Sequence, residues 1–468
     1  MRWGKPWAFV LLFLGGQVVT AQPMKSDDGR PNFLIIGAED ISPDLRCYGD
    51  RQAITPNLDG LAGQGVRFTR AFTHAPVCAP SRSGLITGRY PTSMGTHHMR
   101  SKLIAPPPTF TSLLRNAGYR VYWPGKTDFN FDVPADAFDS TDDWRQHPLQ
   151  EPFLAYINFT GSHESQIRAT REEFAKKTAR LRPEERHDPS KVIVPPFYPD
   201  APEVRRDIAN YYDLVTAVDY QVGDVLRELE RRKLADRTLV LFFGDHGRGM
   251  PRYKRWVYDT GTRVPLIVRW PGQIAPGSVR DDLVCFLDIA PTFLALAGAP
   301  VPEGMQGQVF LGPQAKAREY VFAARDRMDE TYDRIRSVRD KRYQYIRNFH
   351  PELPYAQEIA YMELMPTMQV WRRLHSEKKL VGPASLFFAA RKPQEELYDL
   401  EEDPYEINNL AESPAHQDIL KRMRAALDRW MVETQDLGGV PERELIKRSL
   451  VRDVLAAYEE RKGSGKVQ

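Results

Sequence analysis

Residues 32–40, "NFLIIGAED", form a short apolar run that ends in two carboxylates. An apolar run of this length without alternation is typical of a strand buried on both faces of a parallel sheet. A second run of the same form, "TLVLFFGDHG" at 238–247, also ends in acid. Both stretches are therefore predicted to be interior strands with acidic carboxyl ends.

Further strands and helices lie between and around these two runs. The apolar stretches 119–126 ("YRVYWPGK") and 152–163 ("PFLAYINFTGSH") stop at polar residues, as strands do. Amphipathic helices are predicted from three segments: 55–66, 110–118 and 205–236. Strands that alternate with helices favour an α/β fold, with a large, mostly parallel or mixed central sheet flanked by helices.

The composition changes near residue 316. From there to about 440, stretches such as "REYVFAARDRMDETYDRIRSVRDKRYQYIRNF" alternate apolar residues with many arginines. This pattern predicts a smaller C-terminal antiparallel α+β subdomain at 316–440, after a catalytic α/β domain at 31–315. Residues 441–468 are predicted to be a charged tail.

The first 21 residues have the form of a cleavable secretory signal, with a basic start, an apolar centre and small residues before Gln22. The alternative is a membrane anchor, but the apolar centre from Trp7 to Leu14 is much shorter than the roughly 20 residues that a spanning helix needs. We therefore expect a secreted or periplasmic protein with no membrane span after cleavage.

Charge and cysteine content narrow the function further. The 468 residues include 65 basic and 62 acidic ones, a formal net charge of +3, without a block of like charges that would indicate a nucleic-acid partner. There are three cysteines, so one of them lacks an intramolecular partner. Cys47 and Cys285 are expected to pack as small hydrophobic side chains. Cys78 requires a separate explanation.

Charged residues follow the predicted strands, and ligands of open α/β sheets gather at the carboxyl ends of strands. The acids and one imidazole at two of these ends are candidate ligands of a divalent cation: Glu39, Asp40, Asp245 and His246. Taken alone, the pair Glu39 and Asp40 or the pair Asp245 and His246 is also explained as helix caps or solvated loop residues. Lys126, Lys254 and His163 would add positive charge and protons, which suits an anionic substrate group.

Cys78 lies in "HAPVCAPSRSGLITGRYP", residues 74–91. Pro80 fits the first turn of a helix, so Cys78 is expected just before that helix, in the positive field of its N-terminus. The residues leave two possibilities open: an activated thiol, or a cysteine that is converted into another group.

The motif C-x-P-S-R followed by "LITG" at 85–88 resembles the signature of the type I sulfatases, members of the alkaline phosphatase superfamily. Segments 32–40, 44–50, 55–72, 244–247, 258–272 and 396–411 resemble that family in order and spacing, and the arginine-rich stretch resembles bacterial sulfatases grouped with heparan N-sulfatases. The resemblance covers about residues 31–430 and implies an alkaline-phosphatase-like fold.

The resemblance also implies the roles of the site residues. Cys78 would become Cα-formylglycine through a formylglycine-generating, or sulfatase-maturating, enzyme, and Arg82 would hold its hydrate. Lys126 and Lys254 would bind the sulfate, a carboxylate such as Asp245 would deprotonate the nucleophile, and His163 or Lys254 would protonate the leaving atom. The cation would be Ca²⁺, although Glu39 and His246 replace the usual Asp and Asn. At two further positions where the family usually has histidines, this sequence has Asp128 and Gln166.

The loop "SMGTHHMRS" at 93–101 is expected near the rim of the pocket. His97, His98, Arg100 and Asp128 are therefore candidates for contact with a substrate. The function so implied is an exported sulfatase that acts on sulfated carbohydrates such as glycosaminoglycan fragments. A phosphoester or phosphonate hydrolase and a non-catalytic carbohydrate-binding relative are the alternatives. Asn158 heads a formal glycosylation triplet, but it lies on a predicted strand and is expected to be unmodified.

Overall fold

The structure, a computed structural model, describes residues 29–454. The predicted signal at 1–21 and the end of the predicted tail lie outside this range. A seven-stranded sheet has the spatial order β3-β4-β1-β5-β6-β2-β7. Its strands are β1 (Asn32–Ala38), β2 (Val66–Phe72), β3 (Arg120–Tyr122), β4 (Phe153–Phe159), β5 (Thr238–Gly244), β6 (Arg263–Arg269) and β7 (Ser278–Cys285). Only β6 runs antiparallel to its neighbours in this sheet.

Helices cover both faces of this sheet. They are α1 (Pro56–Gly63), α2 (Cys78–Thr87), α3 (Pro91–Met94), α4 (Phe110–Asn116), α5 (Glu164–Ile167), α6 (Arg171–Lys177), α7 (Pro202–Arg231), α8 (Asp259–Thr262) and α9 (Ile289–Leu296). Leu34 and Ile36 of β1 belong to a core with α1 and α7, whereas Phe33 and Ile35 belong to a core with α4 and α9. Alternate residues of a strand face opposite sides, so a strand buried on both faces must be apolar throughout.

A second, four-stranded antiparallel sheet follows, in the order β11-β10-β9-β8. Its strands are β8 (Val321–Arg325), β9 (Ile335–Arg339), β10 (Tyr343–Asn348) and β11 (Glu395–Asp399), and the remaining helices are α10 (Ala360–Glu363), α11 (Pro366–Ser376), α12 (Gln417–Glu433) and α13 (Glu442–Lys447). The apolar face of α12 packs on this sheet through Leu420, Met423 and Leu427. The predicted fold class is thereby confirmed.

The chain after α12 folds back toward the first sheet. Helix α13 lies inside the segment predicted as a tail, and Glu442 pairs with Arg327 at 2.6 Å. Val451 forms an isolated bridge with Leu103. Within residues 29–454, no helix has the combination of length and apolarity needed to cross a bilayer.

Candidate functional site

The acidic ends of β1 and β5 meet at the carboxyl edge of the sheet. The two strands are parallel neighbours, with Ala38 opposite Gly244, so the residues that follow come together. The Asp40 backbone N–H donates to Asp245 Oδ1 at 2.9 Å. Side-chain atoms of Asp40, Asp245 and His246 all lie within 4.8 Å of one another, as a shared ion would require.

The imidazole of His246 is oriented as a ligand would be. Its Nδ1 lies 2.9 Å from the Gly247 carbonyl oxygen, which can only accept, so Nδ1 carries the proton. The Nε2 atom is buried without a hydrogen-bond partner and lies 3.2 Å from Asp40 Oδ1. An unpaired nitrogen that faces two carboxylates fits a divalent cation.

Glu39, predicted as a fourth ligand, has other partners in the structure. Its Oε1 accepts from Asn158 Nδ2 at 2.8 Å and from Arg82 at 3.3 Å, and its Oε2 accepts from Lys126 at 3.3 Å. One amide and two positive charges therefore satisfy this buried carboxylate, and its membership of the cation site stays a prediction.

Helix α2 is docked against this cluster. Cys78 is its first residue, one position later in the helix than the sequence predicted, because Val77 still has an extended conformation. Ser81 Oγ donates to the Asp245 carbonyl at 2.9 Å. Arg82, one turn after Cys78, pairs with Asp245 at 3.1 Å, which brings the helix N-terminus and the acidic cluster to the same site.

The Cys78 thiol is not activated in this environment. Burial raises its pKa to about 12, and the positive charges of Lys126 and Lys254 do not compensate. The thiol is therefore protonated at neutral pH, whereas a nucleophilic cysteine needs a lowered pKa. Burial of the thiol thus argues against the activated-thiol alternative.

Both predicted lysines reach the site, and each has acidic partners. Lys126 lies 3.3 Å from Glu39 and 3.7 Å from Asp128. Lys254 lies 2.9 Å from Asp40 and 2.8 Å from Glu164. Burial opposes the charge on Lys254, but Asp40 and Glu164 outweigh it and raise the lysine pKa, so this ammonium stays protonated.

Glu164 also binds Arg255 through two hydrogen bonds of 2.9 Å each. The site therefore contains five acidic and four basic side chains, an excess of one negative charge. The acids are Glu39, Asp40, Asp128, Glu164 and Asp245, and the bases are Arg82, Lys126, Lys254 and Arg255.

The carboxylate of Asp245 remains ionised. Burial opposes its charge, but the nearby positive charges, among them those of Arg82 and Lys126, outweigh burial and lower the Asp245 pKa. A carboxylate with a lowered pKa is a strong electrostatic ligand and a weak general base.

His163 is held in one tautomer. Its Nδ1 accepts from the Ser165 backbone N–H at 3.3 Å, so the neutral ring carries its proton on Nε2. Ser165 Oγ lies 2.9 Å from the same Nδ1 and accepts from Gln166 Nε2 at 2.7 Å. Burial, followed by the charge of Lys254, lowers the His163 pKa. Gln166, one of the departures from the family pattern, thus helps to orient this imidazole.

Four site residues were missed by the sequence reasoning: Tyr156, Asn158, Glu164 and Arg255. Arg82 donates to Tyr156 Oη and to Asn158 Oδ1, each at 2.8 Å. The sequence did contain an indication of Tyr156 and Asn158. They are polar residues at alternate positions near the end of an apolar strand, so their side chains must lie on the same face. The Asn158 side chain is engaged in this network, in agreement with the expectation that it is unmodified.

The loop at 93–101 was expected near the rim of the pocket, but the structure buries its two histidines. The residues His97 and His98 are only 3% and 1% exposed, and His98 Nδ1 accepts from the Arg327 N–H at 3.3 Å. The two histidines therefore do not lie at an exposed rim, because the loop folds back on the chain after β8. Arg100 is 45% exposed and lies 3.5 Å from Asp329. Contact of these residues and of Asp128 with a substrate stays a prediction.

His74 is buried beside α2, and its lowered pKa predicts that the fold becomes less stable in acid. Its Nε2 lies 3.2 Å from the Pro80 carbonyl, and burial lowers its pKa to about 4. Because the unfolded chain binds this proton near pH 6.5, His74 contributes fully to stability above that pH and loses its contribution as pH falls toward 4. The expected loss is about 2 kcal/mol at pH 5 and about 3 kcal/mol below pH 4. Urea unfolding of wild type and His74→Gln at pH 7.5 and pH 5 measures it; equal pH dependence in both proteins would refute this role.

Comparison with known proteins identifies the family of this chain. The sulfatase family model matches residues 31–139 and 130–299, and the model of the N-sulphoglucosamine sulphohydrolase C-terminal region matches residues 245–357. An ulvan-active sulfatase of Formosa agariphila is 38% identical over 462 residues, which cover 90% of this chain and 78% of that protein. Human N-sulphoglucosamine sulphohydrolase is 28% identical over 465 residues, covering 86% and 90%.

Among solved structures, a 2-O GAG sulfatase superposes with a TM-score of 0.65 at 23% identity, covering 87% of this chain and 93% of that one. This likeness supports the fold. The family model and the Formosa relative support the family itself, as the motif at Cys78 predicted. The chain belongs to the sulfatase family, whose members are hydrolases of sulfate esters or sulfamates.

Proposed function

We propose that this protein is an exported sulfatase that removes sulfate from sulfated carbohydrates, with a formylglycine made from Cys78 and a bound divalent cation, Ca²⁺ in the first instance. The names of its relatives, an ulvan-active sulfatase and an N-sulphoglucosamine sulphohydrolase, support the carbohydrate substrate. Export rests on the leader predicted at residues 1–21, and a maturation enzyme would be the protein partner.

The observation that carries the proposal is the environment of Cys78. Its thiol is buried at a helix N-terminus under the influence of two lysines, yet its pKa is raised to about 12. Burial raises the pKa of Cys47 and Cys285 to about 12 as well, so what distinguishes Cys78 is its place at the start of α2, one turn before Arg82 and beside the acidic cluster. Conversion to an aldehyde would supply, as the hydrate, a hydroxyl nucleophile and a second hydroxyl that permits release of sulfate.

The charge balance supports an anionic substrate. Because five acids face four bases, a divalent cation held by Asp40, Asp245 and His246 would change the net charge of the site from −1 to +1. Such a cation supplies Lewis acidity and favours ionisation of a neighbouring hydroxyl. Arg82 fixes Asp245 and Glu39 in place, and Lys126 and Lys254 provide the donors for the oxygens of a sulfate group.

Proton delivery to the leaving atom is assigned to His163. The neutral ring has its proton on Nε2, the nitrogen that does not face Ser165, and it becomes an acid once Nδ1 takes a second proton and donates it to Ser165 Oγ, 2.9 Å away. The lowered pKa of His163 makes that imidazolium a stronger acid than Lys254, whose pKa is raised. Asp245, with a lowered pKa, orients and stabilises charge rather than accepting the proton of the nucleophile.

A matched pair of esters tests the proposed function against its alternatives. The protein, produced with a maturation enzyme and supplied with Ca²⁺, is assayed on 4-nitrophenyl sulfate and 4-nitrophenyl phosphate. We expect kcat/KM for the sulfate to be higher by at least about tenfold, or 1.4 kcal/mol. Faster phosphate hydrolysis would instead identify a phosphoester hydrolase, and failure to hydrolyse either ester would favour the binding relative.

A further inference from the structure

We propose that Arg168 and Tyr361 form a subsite for a second anionic group of the carbohydrate, a carboxylate or a further sulfate, beside the sulfate that is removed. The proposal rests on the proposed function, since it assigns part of the same substrate. It arises from a pair of side chains that the catalytic network does not use.

Arg168 follows α5, five residues after His163, and its guanidinium lies 4.9 Å from the centre of the Tyr361 ring. Its side chain forms no hydrogen bond or ion pair with any residue in the range 29–454, and its Nε is buried without a partner. Other arginines of the site differ: Arg255, whose Cζ is 5.9 Å from the same ring, is neutralised by Glu164. Arg168 therefore keeps an unbalanced charge.

Tyr361 places this charge next to the catalytic residues. It lies on α10, which comes from the C-terminal part of the chain, and its ring centre is 6.3 Å from that of His163. The ring is half-buried, and its hydroxyl makes no hydrogen bond to the part of the chain described here. A partly exposed aromatic ring beside the proton donor offers a flat apolar surface against which a sugar face can pack.

The chemistry of the pair fits an acidic sugar. A guanidinium presents several N–H donors in one plane and pairs with carboxylate or sulfate oxygens through two parallel hydrogen bonds. The cation–π contact with Tyr361 fixes the plane of Arg168 before the ligand binds, which reduces the ordering cost of binding. Recognition of a second anion would thus select acidic or multiply sulfated carbohydrates over simple sulfate esters.

Inhibition of 4-nitrophenyl sulfate hydrolysis tests the subsite. The competitors are three sulfated disaccharides that differ in one group: a uronic acid carboxylate, its reduced primary alcohol, or a second sulfate in that place. In wild type we expect the two anionic disaccharides to have an inhibition constant at least about tenfold lower than the alcohol. The anionic disaccharide with the lower inhibition constant shows whether the subsite prefers a carboxylate or a sulfate.

Variants then assign the effect. Arg168→Gln should remove most of this preference, Arg168→Lys should retain part of it, and Tyr361→Ala should weaken binding of all three disaccharides. Arg171→Gln, which removes an exposed arginine three residues away, is the control and should behave as wild type. Thermal unfolding confirms that each variant is folded.

Equal inhibition by all three disaccharides in wild type, or an unchanged preference in folded Arg168→Gln, would overturn the subsite. Failure of wild type to hydrolyse 4-nitrophenyl sulfate would instead contradict the proposed function, so the two failures are distinguishable.

Discussion

Cys78→Ala is expected to lower kcat/KM for an aryl sulfate by at least about 10⁴-fold. Alanine cannot be converted to an aldehyde, and the remaining residues of the site bind charge without supplying a nucleophile. The fold should tolerate the change, because Cys78 is buried in an apolar cluster and begins a helix, where alanine is well accommodated.

Two further variants define the cause of this loss. Cys78→Ser should be equally inactive in a host whose maturation enzyme acts only on cysteine, since a serine hydroxyl lacks the second hydroxyl of the aldehyde hydrate. Cys47→Ala is the matched control, because Cys47 is also a free cysteine but is half-buried away from the lysines. Sulfate release by Cys78→Ala at more than a small fraction of the wild-type rate would exclude this nucleophile.

Asp245→Asn is expected to remove the cation and to lower kcat by about 10³-fold or more. The amide oxygen can still accept from the Asp40 N–H, so the backbone at this edge of the sheet stays connected. The amide carries no charge, however, and both the cation and Arg82 lose a carboxylate partner.

Thermal unfolding with and without Ca²⁺ separates this loss from a general defect. Wild type should be stabilised by about 2.7 kcal/mol at a Ca²⁺ concentration one hundred times the dissociation constant, and Asp245→Asn should gain much less. Asp418→Asn, a change at a fully exposed aspartate, should respond as wild type. Equal Ca²⁺ stabilisation of Asp245→Asn and wild type would remove Asp245 from the cation site.

The sheet and the convergence of charges could be predicted because strong local patterns encode them. The apolar runs that end at Asp40 and Asp245 gave both the strands and their common edge, since parallel neighbouring strands must end together. The position of Arg82 followed from Cys78, because residues four apart on a helix share a face.

Other features depend on contacts between distant segments. Glu164 holds Lys254 and Arg255 together, but it comes from a one-turn helix after β4, and local sequence says little about such a turn. His97 and His98 are polar residues in a loop, for which exposure is the usual expectation; their burial results from packing against the chain after β8. The pairing of Arg168 with Tyr361 joins residues nearly two hundred positions apart in the printed sequence.

The most direct measurement is mass spectrometry of the peptide that contains residue 78, from protein made with a maturation enzyme, alongside its sulfatase activity. We predict that the thiol sulfur is replaced by an aldehyde oxygen and that activity rises in proportion to the converted fraction. Full sulfatase activity in protein whose residue 78 remains an intact cysteine would contradict the account.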